Sequence, residues 1–174
     1  MSQLKFLFTG PPGAGKTTAI AAISEFPPVS TDVATTDELA QVKATTTVAM
    51  DYGAITLEDG QQIGLYGTPG QRRFDFMWQV LAQGGLGLIV LINNNQTEPL
   101  ALLDDYLDAF DAFIRETGVV IGVTATDLCA TPSLKDYGDH LQRRGVNYPI
   151  FAVDVRRRED VLLLVDTLIA GLEA

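Results

Sequence analysis

A glycine-rich segment, GPPGAGKT at positions 10–17, is the strongest constraint that this sequence places on its fold. It follows an apolar run at Lys5–Thr9 and precedes a helical pattern at Lys16–Glu25, so strand, loop and helix occur in succession. Glycines let a backbone wrap closely around an anion, and the N–H groups that open a helix carry partial positive charge. The pattern predicts a phosphate-binding loop, and the alternative is a turn that only caps a helix. The residues predicted to contact a nucleotide are Gly10, Pro12, Gly13, Ala14, Gly15, Lys16, Thr17 and Thr18.

Apolar runs and helical patterns alternate along the rest of the chain. Such alternation favours a three-layer α/β domain, and runs of Val, Ile and Leu are typical of buried parallel strands. We expect one domain over residues 1–174, with a mainly parallel six-stranded sheet, one antiparallel edge strand and helices on both faces. Residues 27–47 are expected to form a long loop. The predicted strands are Lys5–Thr9, Val48–Leu57, Gln62–Tyr66, Leu86–Asn93, Val119–Thr124 and Pro149–Val155, and the predicted helices are Lys16–Glu25, Glu98–Glu116, Ser133–Arg144 and Arg157–Leu172.

The charge and the rare residue types exclude several classes of function. The formal net charge of −10 argues against a general binder of nucleic acid or anionic membranes, which needs a basic surface. Half of that excess lies in residues 98–117, so we expect an acidic helix face, solvated or facing a basic partner. The single cysteine, Cys129, and single histidine, His140, exclude a disulfide framework and Cys- or His-rich metal sites. We expect a cytoplasmic protein without a transmembrane segment or lipid anchor.

A second loop, YGTPGQ at 66–71, follows the third predicted strand. Ligands bind outside the carboxyl ends of strands in open α/β sheets. Gly70 offers a backbone N–H without steric bulk, and Gln71 can orient a water molecule for attack on a terminal phosphate.

Together these segments resemble the Ras-like small GTPases. The resemblance rests on GPPGAGKT at 10–17, TPGQ at 68–71 and the threonines at 45–47. Two longer stretches, TTTVAMDYG at 45–53 and LYGTPGQRRFDFMW at 65–78, are similar to the bacterial gliding-motility and polarity GTPases and their conservon-type relatives.

The resemblance implies a switch that binds GTP or GDP with Mg²⁺ and hydrolyses GTP slowly, because no arginine in the chain is evident to assist. It implies Gln71 and Lys16 as catalytic residues, and Thr17 and Thr47 as metal ligands, with Thr46 as the alternative to Thr47. It also implies a roadblock-type activator, an unknown effector, and a role in polarity, motility or signalling.

Two departures from the family pattern bear on the metal and the base. The family usually has a metal-holding Asp at the position of Gly67, and Asp51 is a carboxylate that can compensate. After the fifth predicted strand, Thr124 and Asp127 match the guanine-reading pattern, whereas Ala125 replaces a lysine. Asp127 is expected to accept hydrogen bonds from guanine; its alternative role is to cap a turn. A backbone N–H of Ala152 or Val153 is expected to complete the base site.

Three other interpretations remain open. Gly67 and Ala125 favour a pseudo-GTPase without turnover, whereas Gln71 opposes it. An ATP-using P-loop kinase or ATPase fits the phosphate loop, and a structural module leaves that loop unexplained. The aromatic cluster around Trp78 fits a partner surface and core packing equally well, and Arg72 and Arg73 are expected to be solvated or to contact a regulator.

Overall fold

The computed structural model describes residues 4–33, 48–69 and 75–173, with side chains described except at 30–33, 48–50 and 75–77. Within these ranges the strands are β1 (Leu4–Thr9), β2 (Val29–Val33), β3 (Val48–Thr56), β4 (Gln62–Gly67), β5 (Gly87–Asn93), β6 (Val119–Thr124) and β7 (Ile150–Ala152). The helices are α1 (Lys16–Ile23), α2 (Asp75–Ala82), α3 (Pro99–Ala109), α4 (Asp111–Glu116), α5 (Leu134–Arg143) and α6 (Arg158–Glu173).

The strands form one mixed sheet in the order β2-β3-β4-β1-β5-β6-β7. β3 pairs antiparallel with both β2 and β4, and the other neighbouring pairs are parallel. The predicted fold class is therefore confirmed, with two corrections. The described sheet has seven strands instead of six, because Val29–Val33 pairs with β3 where a loop was expected. The antiparallel strand is accordingly not at the edge, since β2 lies outside it.

Helices cover both faces of the sheet, as expected. On one face, side chains of α1 and α6 pack against alternate residues of the central strands, such as Phe6 and Phe8. On the other face, α2, α3, α4 and α5 pack against the residues between them, such as Leu7. β5 and β6 are buried along nearly their whole length, which explains their continuous apolar sequence.

Trp78 belongs to this core rather than to a surface. It is 1% exposed and stacks on Tyr106 and Phe110, with ring centroids 4.9 Å and 5.5 Å away.

The single helix predicted over Glu98–Glu116 is divided into α3 and α4 at Phe110, because the backbone of Phe110 leaves the helical conformation. In the part of the chain that is described, no helix combines the length and the apolar character that a bilayer crossing requires.

Candidate functional site

The glycine-rich loop joins β1 to α1 with the geometry that its sequence predicts. Gly10, Gly13 and Gly15 have φ angles of 146°, 80° and 103°, which disfavour residues with a side chain. A Cβ atom at Gly10 would lie 2.2 Å from the carbonyl oxygen of Leu91. Among the described side chains none caps the first turn of α1, which leaves its backbone N–H groups for an anion. Residues 10–15 and the first turn of α1 therefore form a site that suits phosphate.

Lys16 is the buried cation of this loop. Its side chain is 9% exposed, and Nζ donates hydrogen bonds to the carbonyl oxygens of Gly10 (2.5 Å) and Pro11 (3.0 Å). Burial lowers the pKa of Lys16 to about 8, against the opposing attraction of Asp51. A phosphate group placed here would favour the charged form of Lys16, so this lysine is suited to an anionic ligand.

Two amides, one at the end of β5 and one in the loop after it, hold the phosphate loop from the side, and neither was predicted from the sequence. Gln96 Nε2 donates to the carbonyl oxygen of Pro12 (2.8 Å), and Asn93 Nδ2 donates to that of Gly13 (3.3 Å). Gln96 Oε1 is buried without a hydrogen-bond partner among the described residues. Burying an acceptor without a partner costs about 1–3 kcal/mol. The hydrogen bond from Gln96 Nε2 to the phosphate loop therefore comes at the expense of an unpaired Oε1 on the same side chain. The sequence signal was only a run of amides, Asn93 to Gln96, at the carboxyl end of a strand.

Asn94, between those two amides, connects the same loop to the segment after β6. Its Nδ2 donates to the carbonyl oxygens of Cys129 (2.7 Å) and Pro132 (3.0 Å), and its Oδ1 accepts from Tyr137 Oη (2.7 Å). Burial raises the pKa of Tyr137 to about 12, so the phenol remains a donor at neutral pH. The loop after β5 therefore fixes the phosphate loop and the segment after β6 relative to each other.

A cavity of about 640 Å³ opens between these two segments. That volume is typical of a site for a small organic ligand. The predicted residues that the structure brings together around it are Gly13, Ala14, Gly15, Thr18, Thr124, Asp127 and Val153.

The turn after β6 presents Asp127 to this cavity. Ala125 has a φ of 60°, a strained value for a residue with a side chain, and its carbonyl oxygen accepts from the N–H groups of Leu128 and Cys129, both at 3.1 Å. Backbone bonds thus close the turn, and within the described ranges the exposed Asp127 carboxylate accepts no hydrogen bond. Asp127 lines the cavity together with Arg156, with which it interacts electrostatically, and its roles in base recognition and in capping both stay predictions. Thr124 is buried, and its hydroxyl lies 3.5 Å from the carbonyl oxygen of Ala14.

The expectation for Val153 is wrong in one respect. Its N–H donates to the carbonyl oxygen of Val123 (2.9 Å), continuing the pairing of β7 with β6, and is unavailable to a base. The following residues form the cavity rim instead. Arg156 Nε and Nη2 each lie 2.9 Å from an oxygen of Asp154, and this pairing lowers the pKa of Asp154 to about 2. Arg156 is thus a cation at the cavity mouth, and no sequence pattern singled it out as a site residue.

The end of the sheet beside Thr17 holds a second group of polar residues. Asp51 lies opposite Gly67 in the β3–β4 pairing, and Thr17 Oγ1 donates a hydrogen bond to Asp51 Oδ2. Pro69, two residues beyond Gly67, accepts a hydrogen bond from Trp78 Nε1 (3.0 Å). Thr45, Thr46, Thr47, Gly70, Gln71, Arg72 and Arg73 lie outside the described residues, so the roles expected of them stay predictions.

Part of the acidic helix charge is paired within the protein. Arg144, which follows the last residue of α5, contacts Asp104 (3.0 Å) and Asp108 (2.6 Å) on α3, and His140 on α5 also lies 2.8 Å from Asp104. Arg158, at the start of α6, donates to the carbonyl oxygen of Ile23 (3.2 Å) at the end of α1. That hydrogen bond links the start of α6 to the end of α1.

Comparison with solved structures identifies the fold. The bacterial selenocysteine-specific elongation factor EF-Sec aligns over 98% of this chain and 29% of its own, with a TM-score of 0.69 and 16% identity. The G domain of the Thermotoga maritima FeoB iron transporter aligns over 99% of this chain and 100% of its own, with a TM-score of 0.66 and 18% identity. At these identities the similarity establishes a shared fold, the P-loop G-domain fold.

Sequence comparison identifies the family. The uncharacterized protein MJ1339 of Methanocaldococcus jannaschii is 37% identical over 79 residues, a stretch covering 42% of this chain and 51% of that protein. The match thus spans about half the length of that curated relative. A family model described as a conserved hypothetical ATP binding protein matches residues 8–149. Because this model covers more than half of the chain, the protein belongs to the family of conserved hypothetical ATP binding proteins.

Proposed function

We propose that this P-loop nucleotide-binding protein is a guanine-nucleotide switch that binds GTP and GDP with Mg²⁺ and hydrolyses GTP slowly. The observation that carries the proposal is the single cavity that Gly13, Thr124 and Asp127 share. One end of this cavity is suited to phosphates and the other holds a carboxylate, so one nucleotide can contact both.

The phosphate end binds through backbone N–H groups and Lys16. The positive-φ glycines allow the backbone to approach a phosphate chain, and the start of α1 adds the favourable end of the helix dipole. Lys16 lies beside the loop, where its ammonium group can neutralise the outer phosphates as charge develops on them. This local attraction explains how a chain of net charge −10 can bind a polyanion.

The base end selects guanine through Asp127. A carboxylate is only an acceptor, and guanine presents an N1–H and an exocyclic amine side by side. Adenine has an acceptor at N1 and only a C2–H where guanine carries its amine, so the same carboxylate would repel it. Arg156, at the cavity rim, supplies a cation that can cover the base, a role that Ala125 cannot perform.

The hydrolytic step depends on Mg²⁺ and on a residue outside the described ranges. Mg²⁺, when bound, neutralises charge on the phosphates, and Thr17 and Thr47 are the hydroxyl ligands that we propose for it. Gln71 orients the attacking water. A roadblock-type activator and an effector that reads the segments around Thr47 and Gln71 complete the proposed switch, in polarity, motility or signalling.

A specific observation favours a second candidate, an ATP-binding P-loop NTPase. The family that the chain belongs to is described as ATP binding. Replacing Asp127 with asparagine separates the two candidates, because the new side-chain amide would donate to the carbonyl oxygen that xanthine carries in place of the amine of guanine.

We expect Asp127→Asn to weaken GTP binding and to improve binding of xanthosine triphosphate, both measured by calorimetry. Asp166→Asn, on the exposed face of α6, is the matched control. Unchanged GTP affinity in Asp127→Asn would refute guanine readout by this carboxylate.

A further inference from the structure

The end of β4 beside the phosphate loop carries no side chain, because residue 67 is a glycine. A Cβ atom at Gly67 would lie 3.3 Å from Asp51 Cβ, 3.3 Å from Ile20 Cδ1 and 3.5 Å from Asp51 Oδ2. The two distances of 3.3 Å are shorter than ordinary van der Waals contacts of a Cβ atom, and the distance of 3.5 Å is an ordinary contact. The space that a side chain at position 67 would need is therefore the space that the Asp51 side chain uses.

The Asp51 carboxylate lies next to the predicted metal-binding hydroxyl. Strand pairing sets Asp51 opposite Gly67, and Thr17 Oγ1 donates directly to Asp51 Oδ2. Asp51 also acts on Lys16, because its negative charge raises the pKa of that buried lysine. One carboxylate thus lies close to both the first hydroxyl of α1 and the cation of the phosphate loop.

This pair of oxygen ligands fits Mg²⁺. Mg²⁺ prefers hard oxygen ligands and commonly binds through one or two carboxylates together with substrate phosphates and water. A hydroxyl and a carboxylate in direct contact, at the phosphate end of a nucleotide site, are such a set. We propose that Asp51 joins Thr17 as a protein ligand of the divalent cation, replacing a carboxylate at position 67. The proposal rests on the nucleotide binding proposed above and holds for a guanine or an adenine nucleotide.

The site assigns a measurable role to Asp51. A cation that bridges protein and phosphates couples the two binding events, and each strengthens the other by the same factor. We expect Mg²⁺ to tighten nucleotide binding by the wild-type chain by about tenfold or more, a typical coupling. Asp51→Asn, which keeps the shape and removes the charge, should lose most of that gain. Its affinity in EDTA should equal or exceed that of the wild type, because a negative charge near the phosphates has been removed.

The experiment titrates the full-length protein with fluorescent GDP and, separately, fluorescent ADP, in millimolar Mg²⁺ and in EDTA. Asp51→Asn is compared with the double variant Asp51→Gly/Gly67→Asp, which moves the carboxylate to the opposite strand. Restoration of the Mg²⁺ gain in the double variant is the expected result. A full Mg²⁺ gain in Asp51→Asn would overturn the proposal. Melting temperatures show whether each variant folds. If Asp51→Asn does not fold, Thr17→Val is tested in its place, in the same two buffers.

The outcomes separate this proposal from the one on which it rests. If the wild-type chain binds neither nucleotide in either buffer, the proposed function fails. If it binds with the same affinity in both buffers, the proposed nucleotide binding survives and the cation site fails.

Discussion

Replacing Lys16 with methionine is expected to stabilise the nucleotide-free protein and to weaken nucleotide binding. Lys16 is 9% exposed, and burial lowers its pKa from 10.5 to about 8. That difference corresponds to about 3 kcal/mol by which burying the charged form opposes folding near neutral pH. Methionine fills similar space without charge, so Lys16→Met should recover up to about 3 kcal/mol, less the two hydrogen bonds that Nζ makes.

The pH dependence of stability isolates the charge from these packing effects. Below a pH of about 8, Lys16 is protonated in both folded and unfolded chains, and the full cost is present. As the pH rises from about 8 towards 10.5, the unfolded chain binds more protons than the folded chain, so stability increases. Between about pH 7 and pH 9.5 the wild type should gain about 2 kcal/mol relative to Lys16→Met.

The assay is urea unfolding of both proteins across that pH range, with and without saturating nucleotide. Other titrating groups are common to both proteins and cancel in the difference. Bound phosphates should keep Lys16 charged and remove the pH-dependent difference. If the free energy of unfolding of wild type and Lys16→Met depends on pH in the same way without nucleotide, Lys16 does not carry a buried charge that opposes folding, and the argument is refuted.

Two further substitutions test the phosphate loop. Gly15→Ala should cost about 1–2 kcal/mol of stability for its left-handed backbone, and more because its Cβ would lie 2.9 Å from Val155 Cγ2. The control Gly138→Ala, on α5 with open space around it, should instead be neutral or stabilising by about 0.5–1 kcal/mol in thermal unfolding; equal losses would contradict the argument. Gln96→Ala should weaken nucleotide binding about fivefold, the equivalent of the lost hydrogen bond to Pro12. The melting temperature of Gln96→Ala should change little, because the substitution removes the unpaired Oε1 together with the hydrogen bond. Unchanged nucleotide affinity would show that the Gln96 amide does not position the phosphate loop.

The sequence predicted those parts of the site that are local in the chain. GPPGAGKT specifies a loop because its glycines, lysine and threonine all act within one short segment, between a strand and a helix. The buried strands β5 and β6 were equally clear, because continuous apolar runs are typical of the middle of a parallel sheet. Thr124 and Asp127 were predicted from their match to the family's base-reading pattern after such a strand; both line the cavity, and their role in reading the base stays a prediction.

The parts that sequence could not predict depend on contacts between distant residues. Gln96 lies 84 positions from Pro12, and no local pattern relates an amide to a loop carbonyl so far away. β2 was missed because a five-residue strand at the edge of a sheet gains its stability from pairing with β3. The error at Val153 arose because sequence cannot say where β7 stops pairing, and one more hydrogen bond decides whether an N–H is available.

Competition between nucleotides tests the central claim most directly. Fluorescent GDP bound to the purified protein in Mg²⁺ is displaced by increasing GTP, GDP, ATP or ADP, and the release of phosphate from GTP and ATP is followed in parallel. The account predicts displacement by GTP and GDP at far lower concentrations than by ATP or ADP, with slow release of phosphate from GTP. Displacement by ATP at equal or lower concentrations than GTP would contradict it and would favour an ATP-binding protein.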